Sequence, residues 1–143
     1  MIDGNVSFTA RYRRPLRWIT ARGLIRATGS ALALEWHDHV LRTDIARRVR
    51  GPVQSVVLPL DALDGLEVRR GLLGGTRLVL RARSLDALAA LPFASGAECT
   101  LRLARADAVR ARELSASVHE TIAETRLRRL EAAAAADFDA RTG

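Results

Sequence analysis

The sequence predicts a mainly β fold: a barrel of about seven antiparallel strands capped by one long C-terminal amphipathic α-helix. Three observations carry that expectation. Apolar and polar residues alternate with period two through most segments between Val6 and Ala104, and turn-forming residues such as Thr28-Gly29-Ser30 separate those segments. Beyond Asp107 the period becomes helical, and no Gly or Pro follows until Gly143.

In order, Val6, Phe8, Ala10 and Tyr12 form the dry side of a first strand that Pro15 ends. A second strand from Trp18 to Ala27 sets Ile19, Ala21, Gly23, Ile25 and Ala27 against a wet side carrying Arg22 and Arg26. After the Thr28-Gly29-Ser30 turn, Leu32, Leu34 and Trp36 continue the alternation, which makes an antiparallel meander. Between Val40 and Pro52 the spacing predicts a helical turn: Thr43 or Asp44 caps it, Ile45 and Val49 share a face, and Gly51-Pro52 stops it. A strand from Gln54 to Leu60 follows, then a hairpin of Leu66–Arg70 and Thr76–Arg83 joined by the Gly71–Gly75 turn. Ser84 to Phe93 suits a short helical turn as readily as a loop, and Glu98 to Ala104 is the last strand.

Within the terminal helix Leu114, Val118 and Ile122, flanked by Ala111 and Ser115, make one stripe that should close over the sheet. Leu127, Leu130 and Ala134 lie nearly opposite that stripe. Either the helix bends, or its distal part from Thr125 to Ala136 protrudes and presents its stripe to a second chain.

At 143 residues the chain is expected to be one domain, with its core at about 6–124 and residues 125–143 as helix extension and tail. Cys99 is the only cysteine, which excludes an intramolecular disulfide and reads as a small apolar strand residue. No apolar run reaches the roughly 18 residues of a membrane span, and residues 1–29 hold Asp3 and six arginines, so the expected location is cytoplasmic. All 23 basic residues are arginine, and the net charge of +7 favours anionic partners.

The run Leu58-Pro59-Leu60-Asp61 with its turn, the strand to Arg70-Gly71, and the strand Thr76–Leu80 resemble the bacterial pleckstrin-homology-like family, as does the order of strands before one C-terminal helix. The resemblance implies a capped barrel of two antiparallel sheets that serves as a binding scaffold. It also implies that basic residues around the first inter-strand loop receive the ligand. Here that loop is Arg13-Arg14-Pro15-Leu16-Arg17, with Arg11 before it and Trp18 after it. The Arg-x-Arg pair that phosphoinositide-binding members carry on the second strand is absent, since Arg22 and Arg26 are four apart.

Catalytic constellations are sparse. His37-Asp38-His39 puts two imidazoles on one strand face but lacks a third zinc ligand, and reads as a solvated turn. His119-Glu120 reads as a surface pair. Gly71–Gly75 lacks both the lysine of a phosphate loop and a following helix. Asp61 and Asp64 are ordinary turn residues. The expectation is therefore no enzyme, no cofactor and no bound metal. Arg11, Arg13, Arg14, Arg17 and Trp18, with Arg47, Arg48 and Arg50 on the inserted turn, are the expected contacts for an anionic lipid surface or an acidic protein. Arg69, Arg77, Arg81 and Arg83 are expected to pair with Glu67 and to aid solubility. Self-association through Leu127, Leu130 and Ala134 is the alternative. With 4% aromatic residues there is little to stack on bases, which argues against nucleic acid.

Overall fold

The computed structural model describes residues 5–15, 17–42, 47–71 and 75–142. Strands β1 (Val6–Arg14), β2 (Arg17–Thr28), β3 (Ala31–Arg42) and β4 (Arg47–Pro59) form a continuous antiparallel meander. A 3-10 turn at Leu60–Ala62 leads to β5 (Leu63–Arg70) and β6 (Thr76–Ala82); β7 (Ala94–Ser95) and β8 (Glu98–Leu103) follow. Helix α1 then runs unbroken from Ala108 to Thr142.

The strands make one sheet in the order β4-β3-β2-β1-β8-β6-β5, with β7 attached to β8. Instead of two separate sheets or a closed barrel, the pairing leaves β4 and β5 as the two ends of an open, curled sheet. Its two halves meet at a narrow seam, where β1 and β8 share only Phe8↔Leu103 and Thr9↔Arg102.

Period-two alternation decides the buried side. Val6, Phe8, Ala10 and Tyr12 are buried from β1, while Leu78, Leu80, Leu101 and Leu103 come from the far half. Ala111, Leu114, Val118 and Ile122 enter the same core from α1, as their spacing predicts. Leu114 and Val118 are almost fully buried, worth about 2 kcal/mol each in apolar transfer. The connection between β6 and β8 also contributes to this core. That connection is a series of turns, Leu91 N to Leu88 O among them, and it sends Leu88, Leu91 and Phe93 into the core.

The helical turn expected between Val40 and Pro52 is not formed by the residues described. Instead β3 and β4 run on as a hairpin, with Val40 opposite Val49 and Leu41 opposite Arg48; Thr43, Asp44 and Ile45 lie outside the described residues. Gly51-Pro52, read as a stop, is absorbed as a β-bulge: two residues of β4 face the single Asp38 between the pairs His37↔Val53 and His39↔Arg50. Proline is tolerated there because β4 is an end strand whose outer edge has no ladder to complete. In consequence His37-Asp38-His39 sits inside a strand, where a solvated turn had been expected. The helix does not stop at its first stripe either; it extends past the sheet, and Leu127, Leu130 and Ala134 are exposed.

Cys99 is buried in β8, and burial pushes its thiol up to about 12. An unfolded thiol ionises above roughly pH 9, so in alkali the unfolded chain releases a proton that the folded chain keeps. Stability should therefore be intact below that value and fall as pH rises towards 12. The urea midpoint is expected to be lower at about pH 11 than at about pH 8, with most of the drop abolished in Cys99→Ala. Equal midpoints in the native chain would refute it.

Candidate functional site

Alternation on β1 sends Tyr12 inward and Arg11 and Arg13 outward, and the hairpin register sets Arg13 beside Trp18. The two guanidinium carbons lie 5.3 and 5.9 Å from the Trp18 ring centroid, within cation–π range. At the tip Arg14 pairs with Arg17, and Arg14 lies 5.4 Å over the Tyr12 ring. Two like charges directly opposite each other destabilise a strand pair, so the tip is poised to gain from a neighbouring anion.

The cluster extends across the sheet. Cross-strand partners share a face, and the registers align Arg11, Thr20, His39 and Arg50 in one row and Thr9, Arg22, His37 and Val53 in the next. At about 4.8 Å per strand, Arg11 and Arg50 stand roughly 14 Å apart on the outer face of β1–β4. His37 registers the resulting potential: partial burial, then Arg50 and Arg22, hold its imidazole below the usual range. Exposed apolar side chains interleave with this charge, since Trp18, Leu24, Val53 and Val57 are all outward on the same strands. Glu35 is the one acidic residue pointing outward there among the described residues.

Asp38, between the two histidines, faces the other way. Tyr12 Oη donates to its carboxylate at 2.8 Å and Gln54 Nε2 at 3.4 Å. Burial, then Asp38, pushes the Tyr12 phenol up to about 12, so it donates throughout the physiological range. No three of His, Cys, Asp and Glu come together as metal ligands among the described residues.

The opposite half of the sheet handles its arginines differently. Arg69 and Arg81 reach Glu67 at 3.1 and 3.9 Å, Arg81 also reaches Glu98, and Arg83 lies 3.8 Å from Asp64. From α1, Arg129 reaches Asp61 at 2.9 Å and Arg126 reaches Asp64 at 4.0 Å. Among the described residues every ion pair belongs to this half or to α1, and none involves Arg11, Arg13, Arg14, Arg17, Arg22, Arg26 or Arg50.

No family model, curated protein or solved structure matches this chain. The site therefore rests on its own geometry.

The structure brings Arg11, Arg13 and Trp18 together and sets Arg50 on the same face, whereas Arg14 and Arg17, paired at the tip, stand on the Tyr12 side of the hairpin. Arg47 and Arg48 begin β4, and their side chains lie outside the described residues. Arg22, His37 and His39 join the face although only the first-loop residues and Arg47, Arg48 and Arg50 were expected there; the alternation marks Arg22 as outward, but only strand register shows what it neighbours.

A concave feature of about 580 Å³ lies between β5, β6 and α1, with Glu67, Arg81, Arg112 and His119 on its walls. Two of its polar groups, Ser115 and His119, hold the helix to β5. Ser115 Oγ donates to Leu66 O, and His119 Nε2 lies 3.3 Å from Leu66 N and 3.0 Å from Leu66 O. Two helix side chains thus satisfy the end strand where a neighbouring strand would otherwise pair. His119 is consequently more than a surface residue; Gly65 leaves room for its ring, since a Cβ there would come within 3.1 Å of His119 Cε1.

Proposed function

We propose that this chain is a non-catalytic, pleckstrin-homology-like binding module that lays the outer face of β1–β4 on an anionic membrane surface, as a peripheral cytoplasmic protein. The order of strands and the capping helix are compatible with that scaffold. The observation that carries the reading is the division of the arginines. Arg69, Arg81, Arg83, Arg126 and Arg129, around β5, β6 and α1, are ion-paired, whereas Arg11, Arg13, Arg22 and Arg50 share one face with exposed Trp18, Leu24 and Val53. Interleaved cations and apolar side chains suit a headgroup layer, where aromatic residues sit at the interface and arginines meet phosphate. An acidic peptide would satisfy the charges and leave the apolar residues without a role. No helix among the described residues is long and apolar enough to cross a membrane, so attachment of this kind would be from the surface.

Each arginine near an anionic surface contributes about 1 kcal/mol, so Arg11→Ala/Arg13→Ala/Arg50→Ala should weaken binding by on the order of a hundredfold. The check is cosedimentation with phosphatidylcholine vesicles with and without phosphatidylserine, at low and high salt. Binding only to the charged vesicles, lost at high salt and in the triple variant but kept in Arg69→Ala, is the expected result. Equal binding by the triple variant, or binding to an acidic peptide alone, would overturn it.

A further inference from the structure

The two ends of the open sheet differ. On β5, Ser115 and His119 bond to Leu66, and Asp64, Glu67, Arg69 and Arg70 put charge along the strand. Both devices keep a sheet edge from pairing with another chain. On β4 neither is present: no charged residue lies between Arg50 and Asp61, and among the described residues no strand or side chain bonds to its outer edge. The direction of each backbone group there follows from one bond. Leu60 N donates to Ser30 O at 2.9 Å, and along an antiparallel ladder bonded and non-bonded positions alternate. Leu58, Val56 and Gln54, opposite Leu32, Leu34 and Trp36, therefore bond to β3, whereas the N–H and C=O of Val53, Ser55 and Val57 point out of the edge. Pro52 and Pro59, which have no N–H, bound this open ladder on either side.

We infer that this edge pairs with β4 of a second copy, antiparallel, about a two-fold axis at Ser55. Donors and acceptors alternating at strand spacing fit an extended backbone, and the order along this edge is complementary to itself. With Ser55 on the axis, Ser55 meets Ser55 and Val53 meets Val57 of the other copy. Each is a pair in which both residues donate and accept, so every outward N–H from Val53 to Val57 finds a carbonyl while the prolines stay outside the ladder. Val53 and Val57, 65 and 64% exposed, then cover each other across the junction. The nearest charges, Arg50 and Asp61, lie beyond the prolines, so the two positive copies meet along a neutral run. A charged peptide would find no counter-charge on that run, whereas β4 itself brings none. An axis normal to the sheet also keeps the outer faces of both copies on one side, which joins Arg11, Arg22 and Arg50 of each into one continuous surface.

Sedimentation equilibrium of the full chain without lipid tests the pairing apart from any membrane role. The native chain should form a dimer with a dissociation constant below about 100 µM. Ser55→Pro removes the central donor of each copy, which does not serve β3, and should raise that constant about tenfold or more. Register is read from charge. Val53→Lys/Val57→Lys and Val53→Glu/Val57→Glu should each weaken the homodimer about tenfold, because like charges then stand opposite one another, with an unchanged melting profile at a concentration where every chain is a monomer. An equimolar mixture of the two should restore dimers, since each lysine meets a glutamate. Should Ser55→Pro fail to fold, the mixture decides alone. A monomeric native chain at about 100 µM would overturn the proposal. So would dimers that survive in folded Ser55→Pro, or a mixture no tighter than its parts.

Discussion

Gly23→Ala should cost at least about 4 kcal/mol, enough to leave the domain largely unfolded at room temperature. Gly23 lies on β2 opposite both Phe8 and Trp36. A Cβ at Gly23 would fall 2.0 Å from Glu35 O and 2.7 Å from Trp36 Cβ. The first of these atoms is backbone in a ladder held from both sides, so it cannot move aside as a flexible side chain would. Relief requires β2 and β3 to separate next to Trp36, the largest fully buried side chain. Urea unfolding followed by circular dichroism measures the loss. A cost under about 1 kcal/mol would mean that the meander is less tightly packed there than described. Gly29 provides the contrast: its φ of 57° closes the β2–β3 turn, but no atom lies within 4 Å of an added Cβ. Gly29→Ala should therefore cost only the left-handed strain, about 1 kcal/mol.

The sequence read at Gly23 was an inward strand position, which is correct but does not reveal why glycine is required. That requirement belongs to the packing of β2 on β3, and packing is not encoded in the spacing along one strand. The same division runs through the fold. β1, β2, β6, β8 and the Leu114, Val118 and Ile122 stripe were legible because each shows its own periodicity to a buried surface. Gly51-Pro52 was misread because those residues end a helix or mark a bulge equally well, and the partner strand decides between the two. His119 looked like a surface residue because its role depends on Leu66, a contact that joins residues 53 apart in sequence.

The candidate face was legible in the same partial way. Arg11, Arg13, Arg14 and Arg17 stand out as a run beside Trp18. Placing Arg50 beside them, and adding Arg22 and His37, needed two further registers, one of which contains the bulge. Without the shift between His37 and His39, the two imidazoles would have paired with β4 in a different frame. Arg50 would then have lost its place in the row with Arg11.

Phe93→Ala bears on how an open sheet is sealed, and its expected cost is about 3–5 kcal/mol. Phe93 comes from the irregular connection between β6 and β8, yet its ring meets three others from the opposite half: Trp36 edge-on at 5.2 Å, Phe8 at 5.8 Å and Tyr12 at 6.5 Å. Because β1 and β8 share only two residue pairs and β4 does not pair with β5, this aromatic contact carries much of the attachment between the halves. Truncation removes a large apolar side chain from the junction and leaves Trp36 beside a void that a short, turn-rich segment can fill only by collapsing inward. At roughly 3 °C per kcal/mol for a chain of this size, the melting temperature should drop by about 9–15 °C. The near-ultraviolet signal of the buried indole should weaken in the still-folded variant as its edge-on partner disappears. Phe93→Leu, which keeps most of the apolar volume, should recover over half of the loss. If Phe93→Ala melts within about 3 °C of the native chain, the connection is a peripheral loop, and the two halves must be held chiefly by α1 through Leu114 and Val118.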